Sequence, residues 1–314
     1  MSSIPTSTAA RAIGIVTLVL GTFAAGPATA DAPQRPVAEQ PPTTASVLDA
    51  TKDADWRDVD PRHTLYMDLG EGRVVIELAP GFAPRHAANI QALVRAGFFD
   101  GALVTRSQDN YVAQWGRPDD IEAGDRGEAL DELPAEFDRA LAGLSWTGLD
   151  DGDVYAPQVG WVDGFPAARD PDTGRAWLTH CYGMVGAGRD MAADSSDGSQ
   201  LYVVTGHSPR HLDRNITLVG RVLAGIEHLS SLPRGTGTLG FYEEPGQRVP
   251  VTRAVLAADL PETARLPLQV LRTDTSAFEQ LVRARRHRHE DWFIDPVGRV
   301  ELCNVPIPVR GHGD

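Results

Sequence analysis

Two short apolar runs flank a glycine turn near residue 70. The first run is Leu65–Leu69, the turn is Gly-Glu-Gly at 70–72, and the second run is Arg73–Leu78. Runs of this length that are rich in aromatic and β-branched residues are typical of a β-hairpin. A third run begins at Pro84, carries apolar residues at helical spacing and ends at Gly97. Proline in the first helical turn and glycine after the last are common helix boundaries, so the pattern predicts strand, turn, strand and helix.

Regular apolar patterns return in the second half of the chain. They predict a strand over Leu201–Thr205 and then a short helix that begins at Ile226. Near the C-terminus we predict that Ser276 caps a helix extending to Trp292. The residues at helical spacing in this last segment are Phe278, Leu281, Val282 and Arg285.

Residues from about 139 to 178 show no clear period. They contain six glycines and the tryptophans Trp146, Trp161 and Trp177. Because glycines without a periodic apolar pattern favour loops, we predict a long inserted loop region with its own aromatic contacts. A loop of this length in a compact domain is usually functional or poorly ordered.

The N-terminus has the pattern of a secretory signal. An apolar run at 12–26 follows Arg11, and Ala-Thr-Ala at 28–30 is a small-x-small cleavage site. The run falls short of the roughly 20 apolar residues of a membrane-spanning helix, although an uncleaved anchor helix is the alternative. We therefore expect a mature chain that starts near Asp31, does not span the membrane, and is exported to the periplasm or the extracellular space. Residues 31–60 have the proline-rich composition of a linker.

Charge and cysteine content limit the partners and the compartment. The formal charge is −14, and cleavage would remove Arg11 and no acid, giving −14 − 1 = −15. Such a charge argues against a nucleic-acid partner, which favours a basic face. The two cysteines, Cys181 and Cys303, both lie in the mature part. In an exported chain they either pair or remain as buried free thiols, and the sequence leaves both possibilities open.

Two stretches carry candidate chemistry. In the run 104–116, Arg106 is followed by the aromatic Tyr111, the amide Gln114 and then Gly116. The run 197–205 reads Asp-Gly-Ser-Gln-Leu-Tyr-Val-Val-Thr. Together they resemble the signature patterns of the cyclophilins, the cyclosporin-binding prolyl isomerases, which are F-H-R-x-x-x-x-F-x-x-Q-x-G and N-G-S-Q-F-F-I-x-T.

The resemblance covers roughly residues 62–256 and includes the stretches 83–93 and 181–189. It implies a mainly β fold, a closed eight-stranded antiparallel β-barrel capped by two helices. The expected organisation is a signal peptide over 1–30, a linker over 31–60, an isomerase domain over 61–258 with the loop insertion at about 139–178, and a C-terminal extension over 259–314 with one helix.

The resemblance also implies peptidyl-prolyl cis-trans isomerase activity on proline-containing polypeptides, such as exported proteins that are folding. The bond before proline has a rotation barrier of ~18–20 kcal/mol, and no bond is made or broken, so we expect neither cofactor nor metal. A donor to the prolyl nitrogen favours the pyramidal form found only in the transition state. By the resemblance, Arg106 is this donor, Gln114 orients it, and Tyr111 walls the proline pocket as the third catalytic position.

The resemblance places the substrate-binding positions at Val112, Val185, Gly186, Gln200, Tyr202, His211 and Leu212. Val185 replaces the family's alanine and is expected to crowd the groove, while Gly186 replaces its asparagine. Ile216 stands where many members have histidine. Since His211 stands where drug-sensitive members have tryptophan, we expect only weak cyclosporin binding.

Other functional classes find less support. A hydrolase built on His207, His211 and Asp213 would lack the G-x-S-x-G nucleophile motif. The same histidines have only Asp213 near them as a further metal ligand. The serious alternative is a cyclophilin fold that serves as a binding or chaperone module with little turnover. A third class is an envelope scaffold that uses the C-terminal extension.

Overall fold

The computed structural model describes residues 42–70 and 72–311. Its α-helices are α1 (Thr44–Asp49), α2 (Pro84–Arg95), α3 (Glu227–Ser230) and α4 (Ser276–Arg286). Its strands are β1 (Trp56–Asp58), β2 (Thr64–Leu69), β3 (Gly72–Leu78), β4 (Leu103–Ser107), β5 (Val112–Gly116), β6 (Arg139–Ala140), β7 (Thr147–Leu149), β8 (Gln158–Val162), β9 (Phe165–Asp170), β10 (Arg175–Leu178), β11 (Met184–Ala187), β12 (Leu201–Val204), β13 (Leu218–Ala224), β14 (Val249–Leu256), β15 (Leu268–Leu271) and β16 (Val309–Gly311). The predicted signal segment lies outside the described residues. Within them, no helix is long and apolar enough to cross a membrane.

Eight strands close into a barrel in the order β11-β12-β5-β4-β14-β2-β3-β13, and all neighbours are antiparallel. The predicted hairpin over Leu65–Leu78 forms β2 and β3. One face of each strand fills the barrel, because successive side chains of a strand point to opposite sides. The predicted eight-stranded antiparallel barrel is thus confirmed.

Helices α2 and α3 close the barrel. Ile90 and Leu93 of α2 and Leu229 of α3 are fully buried in the barrel core. The N-terminus of α2 lacks a side-chain cap of its own, and the carboxylate of Glu136 accepts from the main-chain N–H groups of Arg85 and His86 at 3.0 Å instead. Burial acts to raise the pKa of Glu136, but the hydrogen bonds from His86 and Arg85 outweigh it and hold the pKa below its usual value.

The inserted segment is a folded sheet, so the prediction of a loop over 139–178 was wrong. Its five strands pair antiparallel in the order β6-β10-β9-β8-β7. Trp161 and Trp177 are buried in a second core. The ring of Trp161 meets that of Phe278 in α4 edge to face, with centroids 4.9 Å apart. Trp161 and Trp177 are therefore core residues, and Trp161 attaches the sheet to the C-terminal extension.

The second half of the predicted linker is also folded. Residues from Thr44 onward form α1 and β1, and β1 pairs with β15 in a three-stranded sheet completed by β16. Arg57 of β1 and Arg221 of β13 both bond the buried carboxylate of Glu77, at 2.7 and 3.2 Å. The N-terminal strand is therefore bonded to the barrel as well as to the C-terminal extension.

The C-terminal helix is shorter than predicted. Helix α4 ends at Arg286 rather than Trp292, and its cap is Thr275, whose side chain accepts from the main-chain N–H of Phe278. The apolar spacing of Phe278, Leu281 and Val282 is not continued at 286 and 289, where arginine and histidine stand. The extension is joined to the barrel by a disulfide between Cys181 and Cys303, whose Cα atoms are 5.0 Å apart.

Candidate functional site

The candidate cation and its amide partner lie on neighbouring strands. Arg106 of β4 stands opposite Gln114 of β5, and the register between β4 and β5 shifts just before Arg106. A bulge of this kind redirects the side chains that follow it. Tyr111 lies in the connection between the two strands, so one hairpin supplies all three positions proposed as catalytic.

The guanidinium of Arg106 is held on several sides. It donates to the side-chain oxygen of Gln114 at 3.2 Å and to that of Gln108. Its Nε donates to the carbonyl oxygen of Leu239 at 2.6 Å. The rings of Tyr111 and Phe241 lie 5.7 and 5.4 Å from its central carbon. Burial lowers the pKa of Arg106 from its usual value, yet a guanidinium remains a cation at neutral pH.

Arg106 lines a cleft of about 580 Å³ on the barrel surface. Seven of the ten predicted catalytic and substrate-binding residues line it, namely Arg106, Tyr111, Val112, Gln114, Gln200, Tyr202 and Leu212. They come from β4, β5 and β12, from the connection between β4 and β5, and from the connections before and after β12. Residues far apart in the sequence therefore share one cavity.

One side of the cleft is apolar. Val112 and Tyr202 are buried together with Val204, and Tyr111 and Ile216 pack against them. Burial raises the pKa of Tyr202 well above its usual value, and it also raises that of Tyr111. Both phenols are therefore neutral at physiological pH, and the wall presents rings without charge.

The other side of the cleft is polar. The amide of Gln200 donates to the carbonyl oxygen of Arg117 at 3.0 Å. A Cβ at Gly116 would lie 2.4 Å from that amide, so the glycine of the first motif makes room for the glutamine of the second. Asp197 accepts from the hydroxyl of Ser199 at 2.7 Å and from Arg126 at 2.6 Å. The two motifs thus interlock in space.

Val185 and Gly186 do not line the cleft, contrary to the prediction. Val185 is fully buried in the barrel core, because the alternation along β11 turns it inward. Gly186 pairs with Tyr202 across β11 and β12, and a Cβ there would lie 2.3 Å from the phenol. Gly186 therefore lies against the wall ring, and Gly188 lines the cleft instead.

His211 lies at the rim rather than in the cleft. Its ring is nearly parallel to that of Tyr111, at 10° and with centroids 6.5 Å apart. Its side chain is exposed, whereas its neighbour Leu212 lines the cavity. The position expected to meet a bound drug is therefore next to the cleft and open to solvent.

Several cleft residues were not found from the sequence. They are Gln108, Gly188, Arg189, Asp190, Ser195, Asp197, Ser199 and Leu239. Asp197 and Ser199 lie within the second motif, and this position in the sequence could have identified them as cleft residues. Leu239 acts through its main-chain carbonyl, which leaves no signature of residue type. Among the described residues, no group of three or more His, Cys, Asp or Glu could hold a metal ion.

Comparison with known proteins supports the resemblance. Residues 64–256, more than half of the chain, match the model of the family described as cyclophilin type peptidyl-prolyl cis-trans isomerase/CLD. A probable peptidyl-prolyl cis-trans isomerase of Brucella suis biovar 1 (strain 1330) is 27% identical over 203 residues, which are 64% of this chain and 85% of the relative. A protein of the same description from Brucella abortus (strain 2308) is 26% identical over the same shares.

A solved structure extends the similarity beyond the barrel. The crystal structure of cyclophilin AquaCyp293 from Hirschia baltica matches with a TM-score of 0.62 and 27% identity. The match covers 87% of this chain and 99% of that chain. Since the barrel accounts for a smaller share, the similarity includes parts of the added segments.

Proposed function

The chain belongs to the cyclophilin-type peptidyl-prolyl cis-trans isomerase family, and we propose that it rotates X-Pro bonds by donating a hydrogen bond from Arg106 to the prolyl nitrogen. The observation that carries this mechanism is the guanidinium of Arg106, held in one orientation in a cleft that has one apolar side. The family membership supports proline-containing polypeptides as substrates.

The chemistry requires selective stabilisation of the twisted bond. Rotation removes the double-bond character of the C–N bond, and the nitrogen lone pair then becomes a hydrogen-bond acceptor. A donor fixed at that position binds the transition state more strongly than the planar ground state. Because the donor does not have to reorganise during rotation, the interaction is more effective than one with water.

Arg106 has donors left for this task. A guanidinium carries five N–H groups, and contacts to Gln114, Gln108 and Leu239 use three of them within the described part of the chain. These contacts hold the group in one orientation. The proline ring would occupy the apolar side, against Tyr111, Val112, Tyr202 and Leu212.

The alternative of a binding module with little turnover is weakened by the position of two residues. Val185 and Gly186 were the substitutions expected to alter the groove, and neither lines it. Ile216 does line the cleft, and it stands where many family members have histidine. This substitution is the one observation that still favours the alternative. We propose turnover as the function.

We further propose that the protein is exported and acts on proteins folding outside the cytoplasm. The apolar run at 12–26 and the Ala-Thr-Ala site at 28–30 support export. The disulfide between Cys181 and Cys303 supports it as well, because such bonds persist mainly in oxidising compartments.

The activity is tested by exchange spectroscopy on a short peptide with one X-Pro bond. The purified chain is expected to accelerate cis–trans exchange, which is uncatalysed on a scale of roughly tens to hundreds of seconds. Binding of the peptide without faster exchange would favour the binding module instead. If the chain neither binds the peptide nor accelerates its exchange, with several different residues tested before proline, both functions are contradicted.

A further inference from the structure

The hydroxyl of Tyr202, in the wall of the cleft, ends a chain of buried hydrogen bonds. Its oxygen lies 2.8 Å from Nε2 of His180, and the two rings are nearly parallel, at 9°. Nδ1 of His180 lies 2.8 Å from the carboxylate of Asp213. The tautomer that satisfies both contacts has Nδ1–H donating to the carboxylate of Asp213 and Nε2 accepting from the phenol.

The chain continues outward to the inserted sheet. Nε of Arg210 donates to the second oxygen of Asp213 at 2.6 Å. The terminal nitrogens of Arg210 donate to the carboxylate of Asp153 at 2.9 and 3.1 Å. Asp153 lies between β7 and β8 of the insertion. The side chains of His180, Asp213, Arg210 and Asp153 are exposed by only 0, 5, 2 and 4%.

Asp213 also fixes a second wall of the same pocket. The oxygen that binds the ring of His180 accepts from the main-chain N–H of His180 at 2.9 Å. Asp213 directly follows Leu212, which lines the cleft at the end of the short helical turn Arg210–Leu212. One carboxylate therefore holds both the loop that carries Leu212 and the histidine that contacts Tyr202.

The ring of Tyr202 needs such an anchor. On one face it lies over Gly186, which has no side chain to hold it. The contact with Gly186 does not by itself oppose movement within the ring plane, whereas a hydrogen bond to the hydroxyl does. Burial raises the pKa of Tyr202 well above its usual value, so the hydroxyl keeps its proton and continues to donate at physiological pH.

We propose that His180 is a positioning residue of the prolyl pocket, which holds the ring of Tyr202 through its hydroxyl and connects it, through Asp213 and Arg210, to Asp153 of the inserted sheet. The inference rests on the proposed function, in which Tyr202 contacts the proline. It gives the insertion a role in the reaction, because the position of Asp153 sets the position of a pocket wall.

The hydrogen bond itself is tested by proton NMR on the full chain. The hydroxyl proton of Tyr202 is expected as a slowly exchanging, downfield signal, assigned by its loss in Tyr202→Phe. His180→Phe keeps a ring but removes the acceptor. In this variant the hydroxyl signal is expected to disappear from the downfield part of the spectrum. The inference is overturned if the wild type lacks the signal or if His180→Phe retains it. This readout does not require catalysis.

The effect on the reaction is tested by a double-mutant cycle on kcat/KM, at a temperature where all variants are folded. Each single change leaves a buried polar atom without its partner, and a loss of about 3- to 10-fold is expected. The double variant Tyr202→Phe/His180→Phe replaces both partners by apolar rings and is expected to lose no more than the worse single variant. Losses that multiply would overturn the positioning role.

The connection to the insertion has a matched control two residues away. The side chains of Asp153 and Asp151 are only 4% and 7% exposed, and each binds an arginine, but Asp151 binds Arg286 and not the chain to Tyr202. Asp153→Ala is expected to move the Tyr202 signal and lower kcat/KM by about 2- to 10-fold, while Asp151→Ala changes neither. Equal effects of the two changes would refute the connection. Asp153→Asn replaces Asp153→Ala if the latter does not fold.

The outcomes separate this inference from the proposed function. If the wild type does not accelerate X-Pro exchange, the proposed function fails, and the NMR signals of the wild type, His180→Phe and Asp153→Ala still decide the positioning chain. If the wild type is active, but the losses in kcat/KM of the two single variants multiply in the double variant, the function stands and the inference fails.

Discussion

The Nε–H of Arg106 donates to the main-chain carbonyl oxygen of Leu239 at 2.6 Å, across 133 residues of sequence. Leu239 adopts a φ of +58°, and Gly240 follows at +78°. Left-handed backbone is costly for leucine, so the surrounding contacts must hold this turn in place. The segment from Gly235 to Tyr242 also bonds the β4 backbone at Thr105 and Ser107. It therefore belongs to the structure that orients the cation.

Gly240→Ala tests this orientation. A Cβ at Gly240 would lie 2.5 Å from the Cα of Gln108, and the positive φ adds strain. The turn is therefore expected to withdraw from Arg106 and lower kcat/KM on the order of 10-fold, since small misplacements near the reacting group are costly. Gly246→Ala is the control, because a Cβ there meets nothing within 4 Å. Wild-type kcat/KM in a folded Gly240→Ala would show that the turn does not orient Arg106.

Weak cyclosporin binding is expected from the exposed imidazole at 211. By the resemblance, an indole at this position packs on the drug in sensitive cyclophilins. Losing ~40–80 Å² of apolar contact at ~25 cal/mol per Å² costs ~1–2 kcal/mol, which is roughly 5- to 30-fold in affinity. His211→Trp is expected to recover this amount in a titration. Low-nanomolar binding by the wild type, or no gain in the variant, would contradict the assignment of His211.

Removing the disulfide is expected to destabilise the fold. Cys181 and Cys303 are separated by 122 residues, and the chain-entropy model gives at most about 4–5 kcal/mol for closing a loop near that length. Cys303→Ser should therefore lower the free energy of unfolding in denaturant titrations, and reductant should lower it in the wild type but not further in the variant. Two titratable thiols in the unfolded, unreduced wild type would refute the bond.

Export predicts a mature N-terminus near Asp31. Expressed in a host with a secretory pathway, the chain is expected outside the cytoplasm, with an intact mass that lacks residues 1–30. A membrane-bound product that retains Met1 would instead support the uncleaved anchor.

The barrel was expected from the family resemblance, and the centre of the site was predictable because its residues form one local motif. Arg106 and Gln114 are eight positions apart in one hairpin, and their residue types carry the chemistry. The hairpin over Leu65–Leu78 was also visible, since its turn and its apolar runs are contiguous. Val185 was misplaced because the resemblance gives its position but not the direction of its side chain, which the alternation along β11 decides.

The inserted sheet was missed although one local signal was present. Asp163-Gly164 joins β8 to β9, both residues have positive φ, and Asp-Gly is a strong two-residue hairpin signal. Strands of two to six residues with several glycines hide the period of two. The pairing of β1 with β15 had no local signal, because it joins residues more than 200 positions apart. His180 was missed for the same reason: its partners Tyr202 and Asp213 are distant in sequence.

The role of Arg106 has a matched control in the same cleft. Arg189 also lines the cavity, but it donates to main-chain oxygens of Asn215, Asp190 and Met191 rather than to Gln114. Arg189→Ala is therefore expected to change kcat/KM by a few-fold at most, and it controls for a general loss of positive charge.

The most direct test is kcat/KM of Arg106→Ala for an X-Pro peptide, measured beside the wild type and Arg189→Ala, with folding checked by circular dichroism and thermal melting. Losing one preorganised donor typically costs ~10²–10³ in rate, so the account predicts a loss of this size in a folded Arg106→Ala. Wild-type kcat/KM in a folded Arg106→Ala would contradict the mechanism.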